Sequence, residues 1–528
     1  MNNGFELVKN AAGRDVPAVV NGQKQVPFVG IGKHQPEGCK AAPPIRAARD
    51  YPAGGDKRVP DLETALRKCG LRDGMTISNH HHLRDGDAVA LMALATAARI
   101  GVRDLMWFPS ASFPAQAGVI ELMEACVVHH IEGSMNGPLG DYCSQGRMRG
   151  LGVLRSHGGR WQAIQDGEVH INIAVIAAPT ADSFGNATGS LGKSACGSLG
   201  FALADSMYAD HVIVVTDNLV PFPCVPWQIQ GNNVDYVVEV PSIGDPAKIV
   251  SGTTEITRSP DRLKIAEYVA RFIRDAGIMR DGFSFQAGAG GIALAFVDYL
   301  RRMMKDAGVK ARFVRGGSTR HLVELLHEGL TDYILDGQTF DLAGVESIAH
   351  DPRHIATSPF TSYNYNGKGF FNQMVDAVVL GATEVDLNFN ANVVTHSDGR
   401  LLHGIGGWQN CLFAGCTILA VPSFRDRIPV IVDEVTTLTG PGEMIDVVAT
   451  ERGIAITPRR QDLLDRLKES QLPIRKIEDI QREVERICGG KPQRPRLRNR
   501  PVAVVKWVDG TVLDTVWQAA PNGMMPSP

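Results

Sequence analysis

Short apolar runs alternate with stretches of helical periodicity along most of the chain. Runs at 75–78, 103–108, 172–178, 211–215 and 235–240 are short and apolar, which predicts strands. Between them, 86–99, 115–124 and 196–206 predict helices, and 61–68 predicts another with Asp61 as its N-cap. Strand and helix in alternation predict a mainly parallel sheet covered on both faces. After a junction at 251–260 the pattern restarts. A helix over 261–275 precedes strands near 283–287, 311–315, 375–380, 417–421, 429–432 and 445–449. Helices over 460–468 and 477–487 follow, then a basic connector at 491–500. A hairpin closes the pattern, with 503–507 and 512–517 flanking Asp509-Gly510. Residues 1–60, rich in Pro, Gly and Lys, predict an arm over the surface, and 519–528 a flexible tail.

The second cycle repeats the first. Leu71-Arg72-Asp73-Gly74-Met75-Thr76-Ile77 returns as Met279-Arg280-Asp281-Gly282-Phe283-Ser284-Phe285, and Asp182-Ser183-Phe184-Gly185-Asn186-Ala187 as Asp386-Leu387-Asn388-Phe389-Asn390-Ala391. The offsets, 279 − 71 = 208 and 386 − 182 = 204, nearly agree. Two matches in one order predict tandem related α/β domains over 61–255 and 256–518, with the hairpin packed on the second. An active site can then lie between the halves, each supplying a different part.

At 528 residues the chain exceeds one ordinary core, which supports two or three domains. A net charge of −3 implies no general attraction to nucleic acid or anionic membrane. No apolar stretch approaches the ~18 residues of a membrane span, and the N-terminus lacks the apolar core of a secretory signal. Nine scattered cysteines without a CxxC pair predict reduced thiols in a cytoplasmic protein. Cys411 and Cys416, with no second close pair, predict packing rather than zinc.

Phe283-Ser284-Phe285-Gln286-Ala287-Gly288-Ala289-Gly290-Gly291-Ile292-Ala293 reads as strand, glycine loop and helix. Glycines admit a ligand close to the backbone, and a helix start offers N–H groups to an anion or developing oxyanion. Gly288-x-Gly290-x-x-Ala293 satisfies a relaxed dinucleotide fingerprint. The next strand, however, ends at Arg315-Gly316-Gly317 without the acid that would hold a ribose, which argues against a nicotinamide cofactor. No Gly-Lys-Ser/Thr closes the loop, so it is not a P-loop. A tight turn without a ligand is the competing reading.

His80-His81-His82 follows the matching strand of the first half. Adjacent histidines on extended chain alternate in direction and chelate poorly, so a structural or substrate-contact role is expected, and no metal. Arg84, and Arg160 in Ser156-His157-Gly158-Gly159-Arg160, suit either carboxylate capture or surface salt bridges. Glu384 and Asp386 share a face if their strand continues, for acid–base work or for orienting loops. His403-Gly404-Ile405-Gly406-Gly407-Trp408-Gln409-Asn410 is a second glycine-rich loop. No Gly-x-Ser-x-Gly elbow occurs, which weakens a serine-hydrolase reading.

From about residue 45 to 518 the chain resembles the alpha subunit of citrate lyase. The resemblance rests on LRDGMTISNHHHLRDGD, SHGGR, DSFGNATG, GKSACGSLG, GFSFQAGAGGIALA, EVDLNFNANVVTHSDG and AVVKWVDGTVLDTV, in that order. It implies two tandem coenzyme-A-transferase-like α/β domains with mainly parallel sheets. It further implies exchange of the acetyl group of an acetyl-thioester for citrate, giving citryl-thioester and acetate. The thiol would belong to a dephospho-coenzyme-A-derived group on an acyl carrier (gamma) subunit, with acetyl-coenzyme A able to substitute and no cofactor bound tightly here. A lyase (beta) subunit is the further partner, and an oligomer is expected.

On this reading Gly288, Ala289, Gly290, Gly291, Gly316, Gly317, Gly406 and Gly407 receive the thioester arm. Arg84, Arg160 and His81 meet the acid's carboxylates, and Glu384 and Asp386 orient or tune the site. No counterpart of the glutamate of covalent coenzyme A transferases precedes Gly316-Gly317. Where related transferases show Gly-Gly-x-x-Asp, Asn410 replaces the acid. A transferase for malonate or another acid is the near alternative. An isomerase or ligand-binding regulator on similar domains is the distant one, and 1–60 lacks helix-turn-helix periodicity.

Overall fold

In the computed structural model each half gathers its apolar runs into one sheet. The described residues are 5–37, 42–45, 47, 49, 51–249, 254–365 and 367–520. Part of the expected junction, 251–253, and most of the expected tail, 521–528, lie outside them. The first half contributes strands β1 (Thr76–Asn79), β2 (Leu105–Pro109), β3 (Val128–Ile131), β4 (Ile173–Ala178), β5 (His211–Thr216) and β6 (Tyr236–Glu239). The second contributes β7 (Phe283–Ala287), β8 (Ala311–Ser318), β9 (Thr331–Thr339), β10 (Ala377–Leu380), β11 (Thr417–Ala420) and β12 (Val447–Thr450).

Their orders are β6-β5-β4-β1-β2-β3 and β12-β11-β10-β7-β8-β9, parallel throughout. Adding six to each label converts one sheet into the other. Edge strands Arg58–Val59 on the first, and His354–Ala356 and Gly453–Ile456 on the second, complete sheets of seven and eight strands. Central strands are apolar on both faces; every residue of β4 is buried, as helices covering both sides require.

The two sequence repeats are repeats of geometry. Asp73 Oδ1 accepts from the Arg103 N–H at 2.8 Å, and Asp281 Oδ1 accepts from the Lys310 N–H at 3.2 Å. Gly74 and Gly282, at φ of 75° and 76°, donate to the Arg103 and Lys310 carbonyls. Each Asp-Gly thus ties the start of one strand to the next, in a left-handed turn that suits glycine. Asp182 and Asp386 likewise each gather backbone N–H groups two and four residues on, and the Asn186 and Asn390 side chains.

Several expectations shift. The span 196–206 is α-helical only at Leu203–Tyr208, after a 3-10 turn at Gly200–Ala202. Upstream, Gly197 takes φ 87°, and a Cβ on Gly200 would stand 2.0 Å from the Thr357 carbonyl, so this backbone is pressed against the second half. Strands β3 and β9 are additional; His129-His130 in one, and Asp332, Asp336 and Gln338 in the other, dilute their apolar signal. The closing hairpin, Leu497–Lys506 with Val512–Ala519, pairs with Gly152–Leu154 of the first half rather than packing on the second alone. Its Val504 and Val512 share a small core with Val16, Val20, Leu151 and Val153. The N-terminal arm is fastened there, with Asn10 Nδ2 donating to the Val512 and Leu513 carbonyls at 3.1 and 2.7 Å. Among the described residues no helix is long and apolar enough to cross a membrane.

Candidate functional site

The carboxyl ends of β1 and of β7 to β10 converge on a cavity of about 790 Å³ between the halves. Ligands favour this end of an open parallel sheet. The first half lends His81, Phe113, His157 and Phe201; the second lends the end of β7, the bulge of β8 and β9, Tyr363 and the loop from His403 to Trp408. The wall is mostly apolar with a few polar groups, as small-molecule sites are.

His81 leaves β1 toward the cavity, while its neighbours turn inward. His82 Nε2 bonds the Ala177 carbonyl at 2.7 Å, and His80 Nε2 lies 3.0 Å from Asp205. The backbone N–H of His81 donates to Ser110 Oγ at 3.0 Å. Gln338 Oε1 only accepts, so Nε2 carries the proton and donates to it at 3.2 Å across the domain boundary, while Nδ1 of the neutral ring accepts from the Ser110 hydroxyl at 2.6 Å. His81 packs with Phe201 and His157 at ring distances of 4.5 and 5.2 Å. Burial, then the neighbouring histidines, hold its pKa well below the usual value. Burial holds His82 and His157 at about 3. These imidazoles are neutral at neutral pH.

Such histidines make stability acid-sensitive. Their folded pKa values lie below the unfolded 6.5, so the unfolded chain binds more protons as pH falls through 6.5. Stability is full above that value and is lost toward pH 3. Asp87 and Asp514, raised to about 6 by burial, act in the opposite sense with a smaller effect. From pH ~7.5 to ~5.5 a net loss of about 2 kcal/mol is expected, read from denaturation midpoints; unchanged midpoints would contradict neutral buried histidines.

The expected glycines divide by physical cause. Gly288 and Gly290 have φ outside the left-handed region, and an added Cβ would meet nothing within 4 Å at either. Neither turn strain nor packing calls for glycine there, so the tight-turn reading does not account for them. Both Gly288 and Ala289 line the cavity. Gly290 and Gly291 face an adjoining pocket of about 290 Å³ with Arg262 and Arg425, where the helix Gly291–Ala307 begins. Gly316 takes φ 122°, with the Ala287 carbonyl 2.8 Å from an added Cβ. Gly317 is covered by Phe340, whose ring would overlap a Cβ at 1.5 Å, so side-chain packing explains that glycine. Gly406, at φ 61°, accepts from the His157 N–H through its carbonyl, and Gly407 abuts the Tyr363 hydroxyl.

The charged candidates are placed differently. Arg84 is not on the cavity wall but stacks on Phe340, which is, at 4.4 Å; its Nε and Nη1 have no partner among the described residues. Arg160 does not line the cavity. Both its Nη atoms grip Asp205 at 2.6 Å, and Nη2 also reaches the Phe108 carbonyl, so its guanidinium is already engaged. Glu384 and Asp386 also lie off the cavity wall. Glu384 accepts from the Thr436 N–H and hydroxyl and from Asn392 Nδ2, at 2.8 to 3.0 Å. Asp386, raised by burial, closes its loop as Asp182 does in the other half. That shared role identifies a loop-former. Asn410 accepts from the Gly158 N–H at 3.1 Å and its carbonyl accepts from Asn372, joining the two halves.

Ser110, Phe201, Gln286, Gln338 and Tyr363 escaped the sequence reading, because each gains its place through tertiary contact. Gln286 alone carried a signal, two residues before the glycine loop. Its Nε2 donates to Cys411 Sγ at 2.7 Å, and burial raises that thiol to about 11. No group of three His, Cys, Asp or Glu among the described residues is arranged to hold a metal.

Comparison with known proteins agrees with this architecture. The family model described as Citrate lyase, alpha subunit matches residues 55–519. The citrate lyase alpha chain of Klebsiella pneumoniae is 40% identical over 460 residues, covering 87% of this chain and 90% of that one. A crystal structure of an alpha subunit of citrate lyase from Streptococcus mutans, in complex with citrate, matches at a TM-score of 0.91 and 38% identity, over 97% of this chain and 100% of that one. The malonate decarboxylase alpha subunit of Acinetobacter baumannii, at TM-score 0.59 and 17% identity over 81% of this chain and 92% of that one, shares the fold. Two tandem coenzyme-A-transferase-like domains, matched along nearly their whole length, carry the assignment: this chain belongs to the citrate lyase alpha subunit family.

Proposed function

We propose that the cavity between the halves exchanges the acetyl group of an acetyl-thioester for citrate, giving citryl-thioester and acetate. The thioester is carried by an acyl carrier subunit or by coenzyme A. The observation that carries the reading is the bare Gly288-Ala289 backbone on the wall of a cavity both domains enclose.

Electron flow explains why this site suits the reaction. A citrate carboxylate is already a nucleophile and needs no base. It adds to the acetyl carbonyl, the tetrahedral oxyanion collapses, and the thiolate leaves behind a mixed anhydride. The thiolate then adds to the citryl carbonyl and expels acetate. No net proton moves, so oxyanion donors and water exclusion matter most. The N–H groups of Gly288 and Ala289 are the donors. The apolar wall of Phe113, Phe201 and Phe340 shields the anhydride, and the neutral His81 and His157 add no competing charge. Arg84 receives a further citrate carboxylate. Glu384 and Asp386 hold the loops beside β10 and take no covalent part. The thiol arrives with the substrate, and the chain works in the cytoplasm in an oligomer with carrier and lyase subunits.

The test is exchange by the purified full chain between acetyl-thioester and citrate, with malonate and citramalate as competing acceptors. Citryl-thioester and acetate in equal amounts are expected. Absence of citrate-dependent acetate release would end the proposal. Mass measurement of the chain quenched during turnover is expected to show no adduct on Glu384; a thioester there would overturn the direct mechanism.

A further inference from the structure

We infer that Arg315, buried behind the cavity wall, is the cation that binds a carboxylate of the acid substrate, reached through the gap left by Gly337. Arg315 is fully buried, and no carboxylate among the described residues pairs with it. Nη1 donates to Asn372 Oδ1, and the guanidinium stands 4.9 Å from the centre of the Tyr363 ring. Its Nε and Nη2 have no partner among the described residues. A buried guanidinium with two unmet donors and no counter-ion is strongly unfavourable, so the fold keeps an anion-shaped vacancy in its hydrogen bonding.

The surroundings point that vacancy at the cavity. Arg315 pairs with Gln286 across β7 and β8, so both side chains project from one face, and Gln286 lines the cavity. Strand β9 bulges opposite Gly316-Gly317, leaving Gly337 as the extra residue on the cavity wall. A Cβ on Gly337 would meet only Arg315 Nη2, at 4.0 Å. An anion in that space reaches Nη2 directly. Gly288 lies two residues beyond Gln286, about 7 Å along the chain. That spacing lets one carboxylate rest on Arg315 while another attacks a thioester at the glycine loop.

The inference rests on the transferase reading and refines where the acid sits. Gly337→Ala is the decisive variant. Gly337 lies outside the left-handed region and nothing crowds the new methyl, so the chain folds, while the methyl caps Nη2. Arg315→Lys keeps the charge and loses the fork. In exchange assays with the full chain, acetyl-coenzyme A and citrate, both variants are expected to raise the citrate KM roughly ten- to a hundredfold. The acetyl-coenzyme A KM and, for Gly337→Ala, the melting temperature should stay at the parent values. An unchanged citrate KM in Gly337→Ala, or a shift in the thioester KM instead, would overturn the inference. A parent enzyme that exchanges no citrate defeats the transferase reading and this inference together. A parent that does, with variants to match, defeats the inference alone.

Discussion

Gly288→Val is expected to leave the fold intact and lower kcat/KM for the acetyl-thioester by about a hundredfold or more. The two halves of that expectation come from different observations. Gly288 is outside the left-handed region and an added Cβ meets nothing within 4 Å, so the free protein accommodates the side chain. The same isopropyl group would stand where the thioester carbonyl must approach the Gly288 and Ala289 N–H groups. Losing one such donor has effects of about 10² to 10³ in acyl transfer, and blocking approach removes both. Melting temperature and exchange rate together check it. A folded, fully active Gly288→Val chain would move the oxyanion site elsewhere, and an unfolded one would restore the tight-turn reading.

Asp205→Ala is expected to destabilise the chain by about 3–5 kcal/mol. Asp205 is fully buried beneath the cavity wall, gripped by Arg160 at 2.6 Å on both oxygens, with His80 Nε2 standing 3.0 Å away. Burial alone would raise its pKa, but Arg160 and His80 outweigh burial and keep the carboxyl well below the usual range. Removing it strands a buried guanidinium against Phe108, 4.3 Å away, and frees His80 beside the cavity-facing His81. Arg160 therefore serves the site by supporting the histidine strand, which separates its role from that of Arg84. Equilibrium denaturation of the full chain measures the effect. A change below about 1 kcal/mol would mean that water reaches this network.

The repeated strings in the sequence proved to be a repeated sheet order. Asp73-Gly74 and Asp281-Gly282 make the same clamp because an Asp acceptor and a left-handed glycine specify one turn locally. Glycine loops and the alternation of His80, His81 and His82 were legible for the same reason, since they are local backbone facts. What could not be read was pairing at a distance. Nothing near Arg160 announces Asp205, and nothing near the closing hairpin announces Gly152–Leu154. Arg315 shows the limit most clearly. In sequence it marked only a missing acid after a strand. Its chemistry arises because the acid opposite on β9, Asp336, is held by Ser318, Thr339 and His354 instead. Gly317, by contrast, looked like a ligand glycine and is explained by Phe340 lying on it.

The central claim is that thioester and acid meet in the cavity between the halves, with the reacting carbonyl at Gly288-Ala289. A crystal structure of the full chain with an unreactive acetyl-thioether analogue of acetyl-coenzyme A and citrate tests it most directly. The account predicts the acetyl oxygen within hydrogen-bond distance of the Gly288 or Ala289 N–H, and the acid between it and β9. A thioether sulfur seated outside this cavity, or against Glu384, would contradict it.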